Sequence, residues 1–149
     1  MSVSTSGLVV LRPEAVRQRL LKLEQAISRL EELSRSDRTL LRTDFRNVWA
    51  TERGLQIAAE IVLDTGNHIL SAHFGESARD YEDVITQLAA RAVIGEDLRA
   101  RLKGLGGFRN VLVHGYLELD PDRVADHLAK APADFTEFLR AIRIWLAAL

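Results

Sequence analysis

The spacing of apolar residues is the feature that most restricts how this chain can fold. From Pro13 to about Ser34, they recur at alternating intervals of four and three residues, at Val16, Leu20, Leu23, Ile27 and Leu30. This spacing is typical of an amphipathic helix with a single apolar stripe. We find no alternating strand pattern and no internal repeat in the sequence. The sequence therefore predicts an all-α protein, an antiparallel bundle of about five helices.

The middle of the chain predicts three more helices. One is expected from about Thr39 to His73, and because it is apolar on several sides, it should lie at the centre of the bundle. Another should run from Tyr81 to Val93 and be ended by Gly95. The next begins at Glu96 or Asp97 and leads into a glycine-rich stretch.

The last helix is expected to begin at Asp120 and Pro121, because aspartate suits the N-cap and proline suits the first turn. Its apolar stripe continues through Val124, Leu128, Phe135, Phe138, Ile142, Trp145 and Leu149. Pro132 lies inside this pattern and should kink or split the helix.

Composition narrows the class of protein. The 149 residues predict a single domain over 1–149, with residues 1–12 as an N-terminal extension. With no cysteine, the chain can form neither a disulfide framework nor a cysteine nucleophile, and it suits a reducing cytoplasm. A net charge of −1 argues against a protein that coats nucleic acid, although not against one that cuts RNA locally. No apolar run approaches the roughly 20 residues of a membrane helix, so we expect a cytoplasmic protein.

Four polar residues that could carry chemistry stand together in the segment 107–121, "GFRNVLVHGYLELDP". On a helical wheel, Phe108, Val111 and Leu112 form the core stripe, and Arg109, Asn110 and His114 lie away from it. Arg109 and His114 are separated by about 140° around the axis. Their side chains cannot make a close contact with each other, but they can flank a bound group or face a second subunit. Gly115 should end the helix as a left-handed cap, which leaves Tyr116 accessible in the exit turn.

An arginine and a histidine without cysteine suit the cleavage of RNA by its own 2′-hydroxyl. The imidazole can take the 2′-hydroxyl proton or protonate the leaving 5′-oxygen, and the guanidinium can stabilise the charge of the pentacoordinate phosphoryl group. This chemistry needs no metal and no other cofactor. On spacing alone, however, the simpler interpretation is favoured, in which Arg109 is a surface ion-pair residue and His114 a helix-end cation.

The wider pattern resembles HepT-like toxins of the HEPN superfamily, whose motif is Arg-x-x-x-x-His-x-Tyr. Arg109, His114 and Tyr116 match this motif within "FRNVLVHGYLELDPDRV", and Asn110 is the polar residue after the arginine. Upstream, "ERGLQIAAEIVLDTGNHIL" (52–70) resembles the family's central helix, and "DYEDVITQLAARAVI" (80–94) resembles the segment that follows it. The similarity extends from about Pro13 to the C-terminus.

This resemblance implies an all-α HEPN-like fold and a homodimer with both motifs at a shared cleft. It implies a metal-independent endoribonuclease toxin that acts on tRNA or mRNA, with no DNA or membrane partner. Arg109 and His114 are then the catalytic pair, and Asn110 orients the reacting groups. The implied antitoxin is an MntA-like nucleotidyltransferase that transfers AMP to Tyr116. The alternative is a non-catalytic HEPN subunit that binds such a transferase and presents its substrate.

The central helix also carries a polar stripe, formed by Arg53, Gln56, Glu60, Asp64, Asn67 and Ser71. One interpretation is that Arg53, Glu60 and Asp64 support the cleft, with Glu60 or Asp64 orienting Arg109 or His114. The other is a solvated helix face. A metal site from Glu60, Asp64 and His68 is less well supported, because three ligands from one helix point in different directions.

Aromatic residues and the remaining histidines suggest no further site. We expect His73 and His127 on the surface. Trp49 and Trp145 are expected to anchor the core or a dimer interface rather than to stack on bases.

Overall fold

A computed structural model describes residues 10–149, and within them the regular secondary structure consists of seven α-helices. They are α1 (Pro13–Ser34), α2 (Arg38–Thr43), α3 (Phe45–Phe74), α4 (Tyr81–Ala90), α5 (Glu96–Leu102), α6 (Leu105–His114) and α7 (Pro121–Ala147). The predicted all-α class is confirmed, with more and shorter helices than expected. Most of the predicted N-terminal extension, residues 1–9, lies outside the described residues.

Helix α3 lies at the centre of the bundle, as its apolar composition predicted. It packs against α1, α2, α4, α6 and α7. The five residues of the α1 stripe are all buried in the same core as the inner face of α3. Leu30 near the end of α1 lies beside Gly54 near the start of α3, and Arg19 near the start of α1 is close enough to Asp64 and His68, farther along α3, to influence their pKa values. Helices α1 and α3 are therefore antiparallel.

The predicted helix from Thr39 to His73 is two helices. Asp44 has an extended backbone (φ −84°, ψ 113°), and its carboxylate accepts a hydrogen bond of 2.9 Å from the Arg46 N–H. It therefore acts as the N-cap that begins α3. The sequence does carry a local signal for this helix start, because Asp44 is a short polar residue directly before an apolar run. The apolar periodicity continues across it, and the break was therefore not predicted.

Helix α4 ends at Ala90 and not at Val93. Ala92 adopts the left-handed conformation with φ of 58°, and the N–H of Val93 donates to the Leu88 carbonyl at 2.9 Å. This is the hydrogen bond of a Schellman termination, usually made with glycine at the left-handed position. Gly95, which was expected to end this helix, is the N-cap of α5 instead.

Helix α7 begins as predicted and is continuous across Pro132. The carboxylate of Asp120 accepts a hydrogen bond of 3.0 Å from the Asp122 N–H, with Pro121 in the first turn. Of the two predicted effects of Pro132, the split is wrong, and the kink stays a prediction. Within the described part of the chain, no helix combines the length and the apolarity that a bilayer crossing needs.

Candidate active site

Helix α6, which carries the motif, is fixed at its N-terminus by the first turn of α4. The backbone of Gly104 has φ of 88°, a conformation that favours glycine, and separates α6 from α5. The carboxylate of Glu82 then accepts hydrogen bonds from the N–H groups of Gly104 (3.0 Å) and Gly106 (2.8 Å). A carboxylate at this position satisfies free N–H groups and complements the helix dipole. Glu82 therefore caps α6 from another helix.

The contact between α6 and α4 is very close at Gly106. A Cβ atom on Gly106 would lie 2.7 Å from the backbone nitrogen of Glu82 and 2.8 Å from the Cβ atom of Tyr81. Only glycine therefore fits without displacing one helix. This contact sets the distance between Tyr81 and the motif residues that follow Gly106.

Arg109 is held on three sides by the protein. One terminal nitrogen lies 3.3 Å from a carboxylate oxygen of Glu60, and the other donates to Oδ1 of Asn110 at 3.3 Å. The guanidinium carbon lies 4.8 Å from the ring centroid of Tyr81, within cation–π range. The Arg109 side chain is only 18% exposed. The wheel placed Arg109 away from the core stripe, but α3 and α4 cover that side of α6.

The polar stripe of α3 supports the arginine through one residue. Glu60 pairs with Arg109 and accepts a hydrogen bond of 3.1 Å from the Gln56 amide. Asp64 is close enough for electrostatic coupling: burial and the Glu60 carboxylate raise the pKa of Asp64, whereas Arg19 and Arg109 lower it. The stripe is thus more than a solvated face at this point.

Arg53, the third predicted support residue, lies elsewhere. It lines a groove between α1 and α3 and makes no ion pair with the described residues. The metal alternative also finds no support, because residues 10–149 bring no three metal-binding side chains together, whether from Glu60, Asp64 and His68 or from other positions.

The other motif residues lie at the exposed end of α6. Asn110 and His114 are exposed, and Tyr116 is 78% exposed. Gly115 is not a left-handed cap, because its φ is −99° and its ψ is 43°. Its N–H closes the last turn by donating to the Val111 carbonyl at 2.9 Å. The chain then leaves α6 through a tight turn that presents the Tyr116 phenol.

The structure does not bring Arg109 and His114 into contact within the described residues. Arg109 points towards Glu60 and Tyr81, and the five-residue spacing turns His114 about 140° away around α6. Arg109 is therefore a fixed cation and His114 an exposed imidazole. A single copy of the chain leaves them on different sides of one helix.

Two residues that sequence reasoning missed, Tyr81 and Glu82, hold the motif helix in place. Both stand in the quoted segment 80–94, directly after the N-cap Asp80, whose carboxylate accepts a hydrogen bond from the Asp83 N–H at 2.8 Å. A cap signal was therefore visible, but nothing local showed that the first turn of α4 would face α6. Their role depends on contacts more than twenty residues away in sequence.

One prediction for the histidines and tryptophans needs correction. His127 is half-buried and not simply a surface residue: its ring stacks on Phe108 at 3.7 Å between centroids, and burial lowers its pKa, as do Arg123 and Lys130. Of the two places predicted for Trp49, the core is excluded because 66% of the residue is exposed, and the dimer interface stays a prediction. Trp145 does pack against the core, where its ring makes an edge contact with that of the exposed His73.

Comparison with known proteins agrees with the motif. A family model described as Ribonuclease HepT-like matches residues 23–142. The chain is 30% identical to a tRNA nuclease HepT of Aphanizomenon flos-aquae over 108 residues, which are 72% of this chain and 73% of that protein. It is 26% identical to an mRNA nuclease HepT of Shewanella oneidensis over 130 residues, which are 87% of this chain and 97% of that protein.

Solved structures agree as well. A tri-AMPylated Shewanella oneidensis HEPN toxin in complex with MNT antitoxin matches with a TM-score of 0.77 and 26% identity, over 87% of this chain and 96% of that one. YutE of Bacillus subtilis, a cytosolic protein of unknown function, shares the fold, with a TM-score of 0.80 and 23% identity over 95% of this chain and 94% of that one. The prediction of a ribonuclease is confirmed at the level of the family, and the chain belongs to the Ribonuclease HepT-like family.

Proposed function

We propose that this chain is the endoribonuclease toxin of a HepT/MntA toxin–antitoxin system and that it cuts RNA without a metal ion. The observation that carries the proposal is the placement of Arg109, a guanidinium fixed by Glu60 and Tyr81 beside the exposed part of the family motif. A cation that is already oriented can stabilise developing phosphoryl charge without reorganising during the reaction. The nuclease names of two HepT relatives support the same activity.

The chemical step uses the RNA's own 2′-hydroxyl. The His114 imidazole accepts the 2′-hydroxyl proton as the 2′-oxygen bonds to phosphorus, or as imidazolium it protonates the 5′-oxygen as the P–O5′ bond breaks. Arg109 stabilises the extra negative charge on the pentacoordinate phosphorus, and Asn110 orients the phosphate. The products are a 2′,3′-cyclic phosphate and a 5′-hydroxyl. Because DNA has no 2′-hydroxyl, it is not a substrate.

The working unit in this proposal is a homodimer in the cytoplasm. Arg109 and His114 diverge around α6 in one copy, and a second copy across a two-fold axis can bring the missing member to each site. The exposed Phe45 and Trp49, whose rings contact each other at the start of α3, provide apolar surface for such an association. Arg109 of one copy and His114 of the other would then flank one phosphate.

Neutralisation is proposed to occur at Tyr116, by transfer of AMP from an MntA-like nucleotidyltransferase. The phenol is 78% exposed, two residues after His114, so a transferase can reach it. An attached AMP group would put negative charge and bulk where the RNA phosphate binds. The AMPylated state of the Shewanella oneidensis toxin in its antitoxin complex supports this mechanism.

The activity is tested by incubating the purified chain with RNA in EDTA and mapping the new ends. We expect cyclic phosphate ends, and a loss of about a hundredfold or more in Arg109→Ala, since one such contact contributes about 3 kcal/mol to the transition state. A matched control is Arg140→Ala, which removes an exposed arginine on α7, away from the motif helix. Wild-type cleavage by His114→Ala would reject the proposed chemistry.

Expression in cells separates the toxin from its alternative. A toxin arrests growth when expressed alone, and Arg109→Ala abolishes the arrest. If expression is harmless and no RNA is cut, the chain is instead a non-catalytic partner of a nucleotidyltransferase.

The modification is tested by co-expression with an MntA-like nucleotidyltransferase and mass spectrometry of the Tyr116 peptide. One or more adenylate masses are expected on Tyr116, and Tyr116→Phe should escape neutralisation. An unmodified Tyr116 in a neutralised complex would exclude this mechanism and leave the nuclease proposal standing.

A further inference from the structure

A long groove lies between α1 and α3, next to the candidate active site. It has a volume of about 1230 Å³. We call it the α1–α3 groove and define it by the residues that line it, which are Ala15, Gln18, Arg19, Lys22, Gln25, Ala26, Ser28, Arg29, Ala50, Arg53, Gly54, Ile57 and Ile61. Neither the proposed chemistry nor the Tyr116 modification uses these residues.

The charge of this groove is entirely positive. Four of its lining residues are cations, and none is a carboxylate, in a chain whose net charge is −1. Arg29 pairs with the exposed Glu32 at 3.8 Å, and one Arg19 nitrogen donates to the Ala15 carbonyl at 3.2 Å. Lys22 and Arg53 make no ion pair with any residue in 10–149. The chain thus concentrates unneutralised positive charge on one face.

One end of the groove lies towards the candidate active site. Because α1 and α3 are antiparallel, Arg29 and Arg53 lie at one end, and Arg19 and Ile61 lie at the other. Ile61 directly follows Glu60, the partner of Arg109, and Arg19 is near enough to influence the pKa of Asp64, as Arg109 also does. The positive face therefore leads to the guanidinium that is proposed to act on the scissile phosphate.

The length of the groove suits a nucleic acid strand. From Ala15 to Arg29, α1 rises about 21 Å. At about 3.4 Å per nucleotide of one strand, this length accommodates roughly six nucleotides. The apolar floor, which contains Ile57 and Ile61, gives the sugars and base faces a surface to lie on, while the cations at the rim reach the phosphates.

We infer that the α1–α3 groove binds the phosphate backbone of single-stranded RNA and guides it to Arg109. This inference rests on the proposed ribonuclease function and extends it from the scissile phosphate to the flanking nucleotides. A second copy of the chain is a poorer occupant, since two identical positive rims repel each other. An acidic protein segment is the competing occupant, and the experiment below distinguishes it from RNA.

The experiment measures RNA binding in a His114→Ala background, so that the RNA stays intact. The groove double variant is Lys22→Ala with Arg53→Ala, both at exposed positions where folding is not at risk. The control is Lys103→Ala with Lys130→Ala, two exposed lysines that line a smaller cavity between α5 and α7. Each pair takes the net charge from −1 to −3, because two positive charges are removed. Only the location of the lost charge differs.

Binding of a labelled single-stranded oligonucleotide is followed by fluorescence anisotropy from low to moderate salt. Each lost phosphate contact lowers the slope of log K against log salt by about 0.7 for single strands. We expect the groove pair to lower the slope by about 1.4 and to raise Kd roughly tenfold at low salt. The control pair should keep the wild-type slope, and Arg53→Lys, which retains the charge, should keep most of the affinity.

A wild-type slope in the groove pair, or a larger loss in the control pair, overturns the inference while RNA cleavage by the wild-type chain stands. If the groove pair binds RNA normally but no longer binds the antitoxin, the groove belongs to an acidic protein partner. If the His114→Ala chain binds no RNA and the wild type cuts none, the proposed function fails together with the inference.

Discussion

The close contact of α6 with α4 at Gly106 gives the sharpest test of how the motif is positioned. A methyl group at this position would lie 2.7 Å from the Glu82 nitrogen and 2.9 Å from the carbonyl carbon of Tyr81. Comfortable contacts between such atoms begin near 3.5 Å, so the helices must separate by about 0.8 Å. Both contacted atoms belong to backbone, which cannot move aside as the end of a side chain can.

Gly107 supplies a matched control on the same helix. An added Cβ at Gly107 meets no atom within 4 Å. Both Gly106→Ala and Gly107→Ala gain helix propensity of about 1 kcal/mol, so this contribution cancels between them. The remaining difference is the overpacking at position 106, about 1–3 kcal/mol in the free energy of unfolding.

Urea unfolding of the two variants measures this difference directly. A difference of about 2 kcal/mol separates the midpoints by roughly 1 M when the m-value is about 2 kcal/mol per M. RNA cleavage should fall about ten- to a hundredfold in Gly106→Ala, because displacement of α6 carries Arg109 away from Tyr81 and Glu60. Equal midpoints for the two variants would refute the packing argument.

Three further predictions concern side chains around the motif helix. Glu82→Ala removes the acceptor for two N–H groups and should lower the free energy of unfolding by about 1 kcal/mol in urea titrations, whereas Glu82→Gln keeps an acceptor and should lose less. Glu60→Gln should change stability by less than about 1 kcal/mol, since the pair is partly exposed, yet lower cleavage about tenfold because Arg109 loses its orienting partner. The pKa of His127 is lowered in the folded state by burial and by two nearby cations. As the pH drops below about 6.5, the unfolded state therefore binds the proton before the folded state does, and the free energy of unfolding decreases. His127→Phe should therefore flatten the thermal stability profile between about pH 7 and pH 5, and an unchanged slope would contradict this.

The parts of the fold that the sequence predicted well are those with local signals. Helix α1 has one regular apolar stripe and begins at a proline, and α7 begins at an aspartate followed by a proline. Both helix starts can therefore be predicted from neighbouring residues in the sequence. The central position of α3 followed from its apolar residues on several sides. Such signals can be recognised without knowing which helices pack against each other.

The boundaries that failed depend on backbone conformations or partners that periodicity does not reveal. Ala92 takes a left-handed conformation that favours glycine, so the end of α4 carried no glycine signal. The separation of α6 from α5 relies on Gly104 and on a carboxylate twenty-two residues earlier in the chain. Pro132 does not split α7, because long stretches of packed apolar side chains on either side keep the helix continuous.

The site shows the same division. The motif predicted which residues form the candidate site, because their spacing is a property of the sequence. The environments of these residues were less predictable. The helical wheel assumed that only one face of α6 is covered, but α3, α4 and α7 all approach this helix. Arg109 is therefore largely buried, and His127 stacks on Phe108. A wheel gives the direction of a side chain but not what lies in that direction.

The divergence of Arg109 and His114 makes a composite site testable by mixing two inactive chains. In a mixture of Arg109→Ala and His114→Ala chains, random association makes about half of the dimers mixed. If each site takes its arginine from one copy and its histidine from the other, a mixed dimer has one intact site and one empty site. The mixture should then recover about a quarter of wild-type cleavage. If both residues of a site come from the same copy, every site lacks one of them and no activity returns. Recovery therefore requires that the two motif residues meet across the dimer, and its absence would mean that Arg109 must leave Glu60 to reach a phosphate beside His114 of its own chain.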